Sequence, residues 1–283
     1  MKYILVLYIL CSFCGKCSAL SKNEVIWPLF DSPPSIILEG TNQGQGNVDL
    51  IMQFIQNTLR DYSHVNMVMN YERFFKFAQS NTITVCAIGV DKTPDRLKFL
   101  YYSVPTTIEL APAMIVRKDE LKNFIAQQEV SLKETLNNTQ LKGVFVAGNT
   151  YTSEADILID TYKNKAHINI KNYRKAQLLE LLMRKRIDYF LHPPSAINYL
   201  TMQLGKERIF ASLVVKEIPS HTLGYTVCNK TLTGKRVIEE VSMLLRRKRS
   251  SLEYLDMLGK WQDKNSLQQI LKIYHDDFLN QMN

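Results

Sequence analysis

The stretch Cys86-Ala87-Ile88-Gly89-Val90-Asp91-Lys92-Thr93-Pro94-Asp95-Arg96, followed by Phe99-Leu100-Tyr101-Tyr102-Ser103-Val104-Pro105 and then Ala113-Met114-Ile115-Val116-Arg117, decides how the rest of this chain is read. A β-rich run from Thr82 to Ile88 ends at Gly89. It delivers small polar groups to the carboxyl end of a strand, where open α/β sheets hold their ligands. Arg96 then offers a planar fork of donors suited to a carboxylate or a phosphate. The apolar run closed by Arg117 reads as another buried strand.

Outward from this stretch, strand and helix patterns alternate, which predicts an α/β protein. Toward the N-terminus, Glu24 to Trp27 reads as a strand broken at Pro28, and the loop Phe30-Asp31-Ser32-Pro33-Pro34 follows. Gly44 to Leu50 is a glycine-rich lead-in to a helix. Asn47 is placed to cap that helix, with Val48, Ile51, Phe54, Ile55 and Leu59 as its core stripe. A phosphate-binding loop would need Gly-Lys-Ser/Thr or Gly-x-Gly-x-x-Gly, and neither is present. Toward the C-terminus, Ser131 to Glu134 has capping-box spacing, and Lys142 to Ala147 reads as a strand that turns through Gly148 to Ser153 into a helix. Such a helix start offers free N–H groups to an anion. The competing reading is an ordinary turn capped by Thr152 or Ser153. Strands over Arg186 to Leu191, Ile209 to Val215 and Gly224 to Cys228 complete the pattern.

With these elements in place, the chain resembles the extracellular solute-binding proteins of ABC transporters, the type II periplasmic binding fold, and in particular their polar amino-acid-binding branch (family 3). The elements that carry the likeness are Gly89, Thr93 to Arg96, Tyr102-Ser103-Val104-Pro105, and Leu258-Gly259-Lys260-Trp261. The resemblance implies two lobes, each a mixed sheet flanked by helices, joined by two hinge crossings. Lobe I would take residues 20–110, lobe II 111–217 and the return segment 218–283, with the return crossing around Glu217 to Thr222. It implies closure around a small polar, anionic solute, with no cofactor. Phe30, Asp31, Gly89, Asp91, Thr93 and Arg96 would form one jaw, and Gly148, Asn149, Thr150, Tyr151 and His192 the other. Two departures count against an α-amino acid. His192 stands where such binders present an aspartate to the ligand's ammonium, and Asp91 stands where they often carry a threonine. Trp261 reads as an apolar plug. The implied partners are the solute and an ABC permease or membrane sensor, with the protein itself a monomer.

Lys2, the apolar Tyr3 to Phe13 and the small-x-small end Cys17-Ser18-Ala19 describe a secretory signal peptide over residues 1–19. The apolar part falls short of the ~20 residues a membrane span needs. Phe13 before Cys14 and Lys16 before Cys17 argue against lipidation. Cleavage after Ala19 would place the protein in the periplasm or outside the cell. Losing Lys2 and Lys16 takes the formal charge from +8 to +6 (8 − 2), dispersed along the chain, and export argues against nucleic acid as a partner. The one dense basic run, Arg246 to Arg249, reads as a solvated helix end.

Cys86 and Cys228 alone survive cleavage, and a disulfide and two buried thiols stand level as readings. His192 admits three roles: donor to an anionic ligand, hydrogen-bonded structural group or metal ligand. No second histidine or cysteine lies at metal-ligand spacing, so no metal is expected. His275-Asp276-Asp277 reads as part of a solvated tail helix. An enzyme on the same scaffold, a dehydratase or hydrolase using Asp91, Asp31 or His192 as acid or base, is the competing function. No nucleophile elbow or zinc signature supports it.

Overall fold

The computed structural model describes residues 23–124, 129–147, 151–171, 173–206 and 209–281. The expected signal peptide lies outside these residues, as do Gly148, Asn149 and Thr150. Among the described residues no helix is long and apolar enough to cross a membrane.

β1 (Glu24–Leu29) runs through Pro28 rather than breaking at it. N–H groups two residues apart point the same way along a strand. The Pro28 nitrogen therefore lies on the side where Ile26 donates to Thr84 O (2.9 Å), and pairing there consists of the single bridge of Ile26 with Val85. No ladder donor is lost. α1 (Asn47–Thr58) buries Val48, Ile51 and Ile55 as its spacing predicts. Its cap is Gly46 rather than Asn47: Asp49 Oδ2 accepts from the N–H groups of Gly46 (3.0 Å) and Ile37 (2.9 Å). β2 (Ser63–Val68) lies parallel to β1, and α2 (Tyr71–Ser80) follows, capped by Asn70.

β3 (Cys86–Val90) starts later than the apolar run because the Asn229 amide holds the preceding backbone, donating to Ile83 O (2.7 Å) and accepting from Val85 N (3.0 Å). After the short α3 (Pro94–Leu97), β4 (Leu100–Leu110) leads through Ala111-Pro112 into β5 (Ala113–Arg117). The second lobe holds β6 (Glu129–Val130), α4 (Leu132–Asn137), β7 (Gly143–Val146), α5 (Ser153–Tyr162), β8 (Ile168–Lys171), α6 (Lys175–Met183), β9 (Tyr189–His192), α7 (Pro194–Gln203) and β10 (Phe210–Val215). Its sheet runs β6-β10-β5-β9-β7-β8. Successive residues face opposite sides, so β5 and β9 send Met114, Val116, Tyr189 and Leu191 to one core and Ile115 and Phe190 to another.

The chain returns in β11 (His221–Asn229), antiparallel between β3 and β4. Ala111 N donates to Ser220 O (3.2 Å), so the two crossings lie side by side. α8 (Leu232–Lys248), α9 (Leu252–Gly259) and α10 (Lys264–Ile273) close the first lobe over a core that includes Trp27, Ile55, Phe74, Ile108, Val241 and Tyr254. Cys86 and Cys228 stand opposite each other on β3 and β11, with Cα atoms 4.1 Å apart, and are bonded.

Arg246, Arg247 and Lys248 are exposed at the end of α8, but Arg249 is not, being only 2% exposed. It donates to the carbonyls of Pro105, Phe278, Leu279 and Gln281 and lies over the Phe278 ring, tying the C-terminal turn to β4. Charge at a helix end does not reveal this, because the acceptors come from distant backbone.

Candidate functional site

β3 carries the first wall of the cleft. It ends at Gly89 and Val90, with Gly89 at φ +80°, a conformation a side chain would oppose. Gly224 of β11 lies against it: a Cβ there would fall 2.2 Å from Thr107 Oγ1 and 2.8 Å from Gly89 Cα. The Gly89 and Gly224 backbones thus approach closely, with the Thr107 hydroxyl beside them, and they line a cavity of about 180 Å³ together with Phe30, Tyr71, Asp91, Thr107 and Glu109 among others. Tyr71, half exposed at the start of α2, stacks on Phe30 with ring centres 3.9 Å apart.

The expected anchor, Arg96, sits beside this wall but outside the cavity lining. Its Nη1 donates to Asp91 O (3.2 Å) and lies 3.6 Å from Asp91 Oδ2, while the guanidinium lies over Phe75. Tyr102 OH also donates to Asp91 O (3.0 Å). Thr93 caps the turn of α3, its Oγ1 accepting from Arg96 N. The arginine fork therefore serves Asp91 in this structure.

Glu109, near the end of β4, was not legible as a site residue. Its Oε1 accepts from Ser35 Oγ (3.4 Å) and Asn47 Nδ2 (3.3 Å), both neutral donors. Burial pushes its carboxyl up; the two hydrogen bonds oppose that, and the charge of Asp91 adds to it. Burial, then Asp91 and Glu109, likewise raise the Tyr71 hydroxyl.

A second cavity, of about 550 Å³, is lined from lobe I by Asp31 and Pro33 and from lobe II by Tyr173, Lys175, His192 and Tyr199 among others. His192 ends β9, and burial, together with the Lys175 charge, pushes its imidazole down to about 4, so it is neutral at ordinary pH. Lys175 at the start of α6 is lowered by burial and supported by Asp31, and its Nζ donates to Pro33 O (3.0 Å) across the cleft. Among the described residues no group of three or more His, Cys, Asp or Glu side chains is placed to hold a metal.

Of the sequence-expected residues, the structure brings Phe30, Gly89 and Asp91 to the smaller cavity and Asp31 and His192 to the larger. Tyr151 lines neither cavity; its ring packs edge-on against Phe145 in the lobe II core. Trp261 fills the base of the interface, donating to Gln45 O and meeting Tyr199 edge-on.

No family model and no curated protein matches the chain. Solved structures do. The substrate-binding domain 2 of GlnP from Lactococcus lactis, in its open conformation, superposes at TM-score 0.59 with 17% identity, over 85% of this chain and 96% of that one. The unliganded, open L-cystine solute receptor of Neisseria gonorrhoeae gives 0.59 at 12% identity, over 87% and 96%. A histidine kinase sensor domain with similarity to periplasmic binding proteins gives 0.57 at 15%, over 85% and 96%. The chain has the two-lobe, hinge-linked fold of the type II periplasmic binding proteins, the fold of the substrate-binding proteins of amino acid ABC transporters.

Proposed function

We propose that the protein is an exported binding protein that closes its two lobes around a small polar solute and presents the closed form to a membrane partner. The observation that carries this is the cavity of about 550 Å³ lined from both lobes, in a molecule whose lobes are linked by two adjacent crossings. Closing such a hinge on a solute is favoured by the contacts the solute makes to both walls. The neighbours described above are binding, receptor and sensor domains, which supports a binding role. A permease and a membrane sensor both read closure, and the sensor-domain neighbour keeps the second in view. The expected anionic character of the solute has less support than its polarity, because Asp91 already occupies Arg96 and Glu109 adds a second carboxylate.

The test is a thermal-shift panel of amines, amino acids, organic acids, sugars and peptide fragments. A solute at a hundred times its Kd adds about 2.7 kcal/mol, a rise of several degrees at this size. Tyr71→Ala should weaken that solute at least tenfold with little change in ligand-free melting, since the ring is half exposed. Unaltered affinity in Tyr71→Ala would take the smaller cavity out of the site and leave the larger one.

A further inference from the structure

The cavity of about 180 Å³ on the lobe I wall has a charge balance that restricts what can occupy it. Among the described residues that line it, only Asp91 and Glu109 are charged, and both are carboxylates. Asp91 has a partner in Arg96. Glu109 has only Ser35 and Asn47, which are neutral. A half-buried carboxylate held by neutral donors beside a second carboxylate is costly to ionise, and a cation entering the cavity lowers that cost. The stacked Tyr71 and Phe30 rings add an electron-rich wall, which favours the same charge. At Gly89, which lines the cavity, a Cβ would meet only Val48 Cγ2, at 4.0 Å, so the missing side chain leaves room there for a compact head group. The larger cavity is the reverse: Arg174 and Lys175 line it, with Asp31 the only carboxylate among its described lining residues, so a second cation on the solute would meet like charge.

We propose that the solute is a monoamine, with its ammonium head held by Glu109 and Asp91 beneath the Tyr71 ring and its uncharged body reaching toward His192 and Tyr199. This rests on the reading of the protein as a solute-binding protein. It moves the carboxylate that meets the solute's ammonium from lobe II, where His192 now stands neutral, to lobe I. Glu109 is the residue that sets the charge class.

The test is calorimetric titration of the disulfide-bonded protein with matched charge series on two bodies. One series is phenethylamine, phenylalanine and 3-phenylpropionate, and the other is butylamine, norvaline and valerate; putrescine is added as a diamine. The expected result is binding of an amine, weaker or absent binding of the acid on the same body and of the diamine, and an affinity at least tenfold lower in Glu109→Gln. Ligand-free melting reports whether that variant folds. If it does not, Asp91→Asn, whose side chain is 71% exposed, carries the test with the same expected loss. Binding of the acids in preference to the amines overturns the charge assignment and leaves solute binding standing. Amine binding that survives both substitutions overturns the role of Glu109 and Asp91. Binding by none of the compounds overturns the monoamine assignment, and the thermal-shift panel then decides whether the solute-binding reading beneath it stands.

Discussion

Folding should be coupled to proton binding at His192. The imidazole is held at about 4 in the folded protein against 6.5 ordinarily, by burial first and by the Lys175 charge second, with the Pro193 carbonyl opposing. A depressed histidine means that the fold favours the neutral ring. Above pH 6.5 neither state is protonated there and this contribution to stability is fully present. As the pH falls below 6.5 the unfolded chain takes up a proton that the folded chain refuses, and stability drops until the folded ring titrates near 4. At about 1.4 kcal/mol per pH unit, that interval amounts to about 3 kcal/mol, an upper figure for a ring at a cleft wall. His192→Gln keeps a polar group of similar reach and removes the titration. The assay is urea unfolding of both proteins at half-unit steps from pH 7.5 to 4. Carboxylates common to both cancel in the difference, so the wild-type advantage should shrink by up to about 3 kcal/mol across that range. A difference that stays flat with pH, or an NMR titration of His192 near 6.5, would refute the reasoning.

Other consequences concern stability alone. The Cys86–Cys228 bond spans 142 residues, and breaking it removes on the order of 4 kcal/mol by loop-closure entropy, so reductant should lower the urea midpoint markedly; two reactive thiols in the denatured, unreduced protein would contradict the bond. Arg249→Met strips the donors from four backbone carbonyls and should cost about 2–4 kcal/mol in unfolding experiments; a change below about 0.5 kcal/mol would show that those carbonyls find water instead.

Much of the architecture was legible because it depends on local spacing. The α1 stripe, the β7 and β10 runs, and the caps at Ser131 and Thr152 follow from periods of 3.6 and 2 and from side-chain oxygens that meet nearby N–H groups. The errors share a cause in partners far along the chain. Pro28 reads as a breaker because the sequence does not show which side of a strand is unpaired. The start of β3 was misplaced because the Asn229 amide, more than 140 residues on, holds its approach. Arg249 reads as solvated because its acceptors are carbonyls, which carry no sequence signature.

The candidate site divides in the same way. The sequence by itself determined the alternating α/β pattern, the strand end that presents Gly89 and Asp91, and the loop that carries Phe30 and Asp31, since these depend on periodicity and turn chemistry within a few residues. Only the tertiary structure decided that Cys86 meets Cys228, that Arg96 is taken up by Asp91, and that Glu109 stands half-buried among neutral donors at the cleft. Spacing determines which face of an element is apolar; which charges and sulfurs end up opposite one another depends on strand order and on packing between segments far apart in the chain.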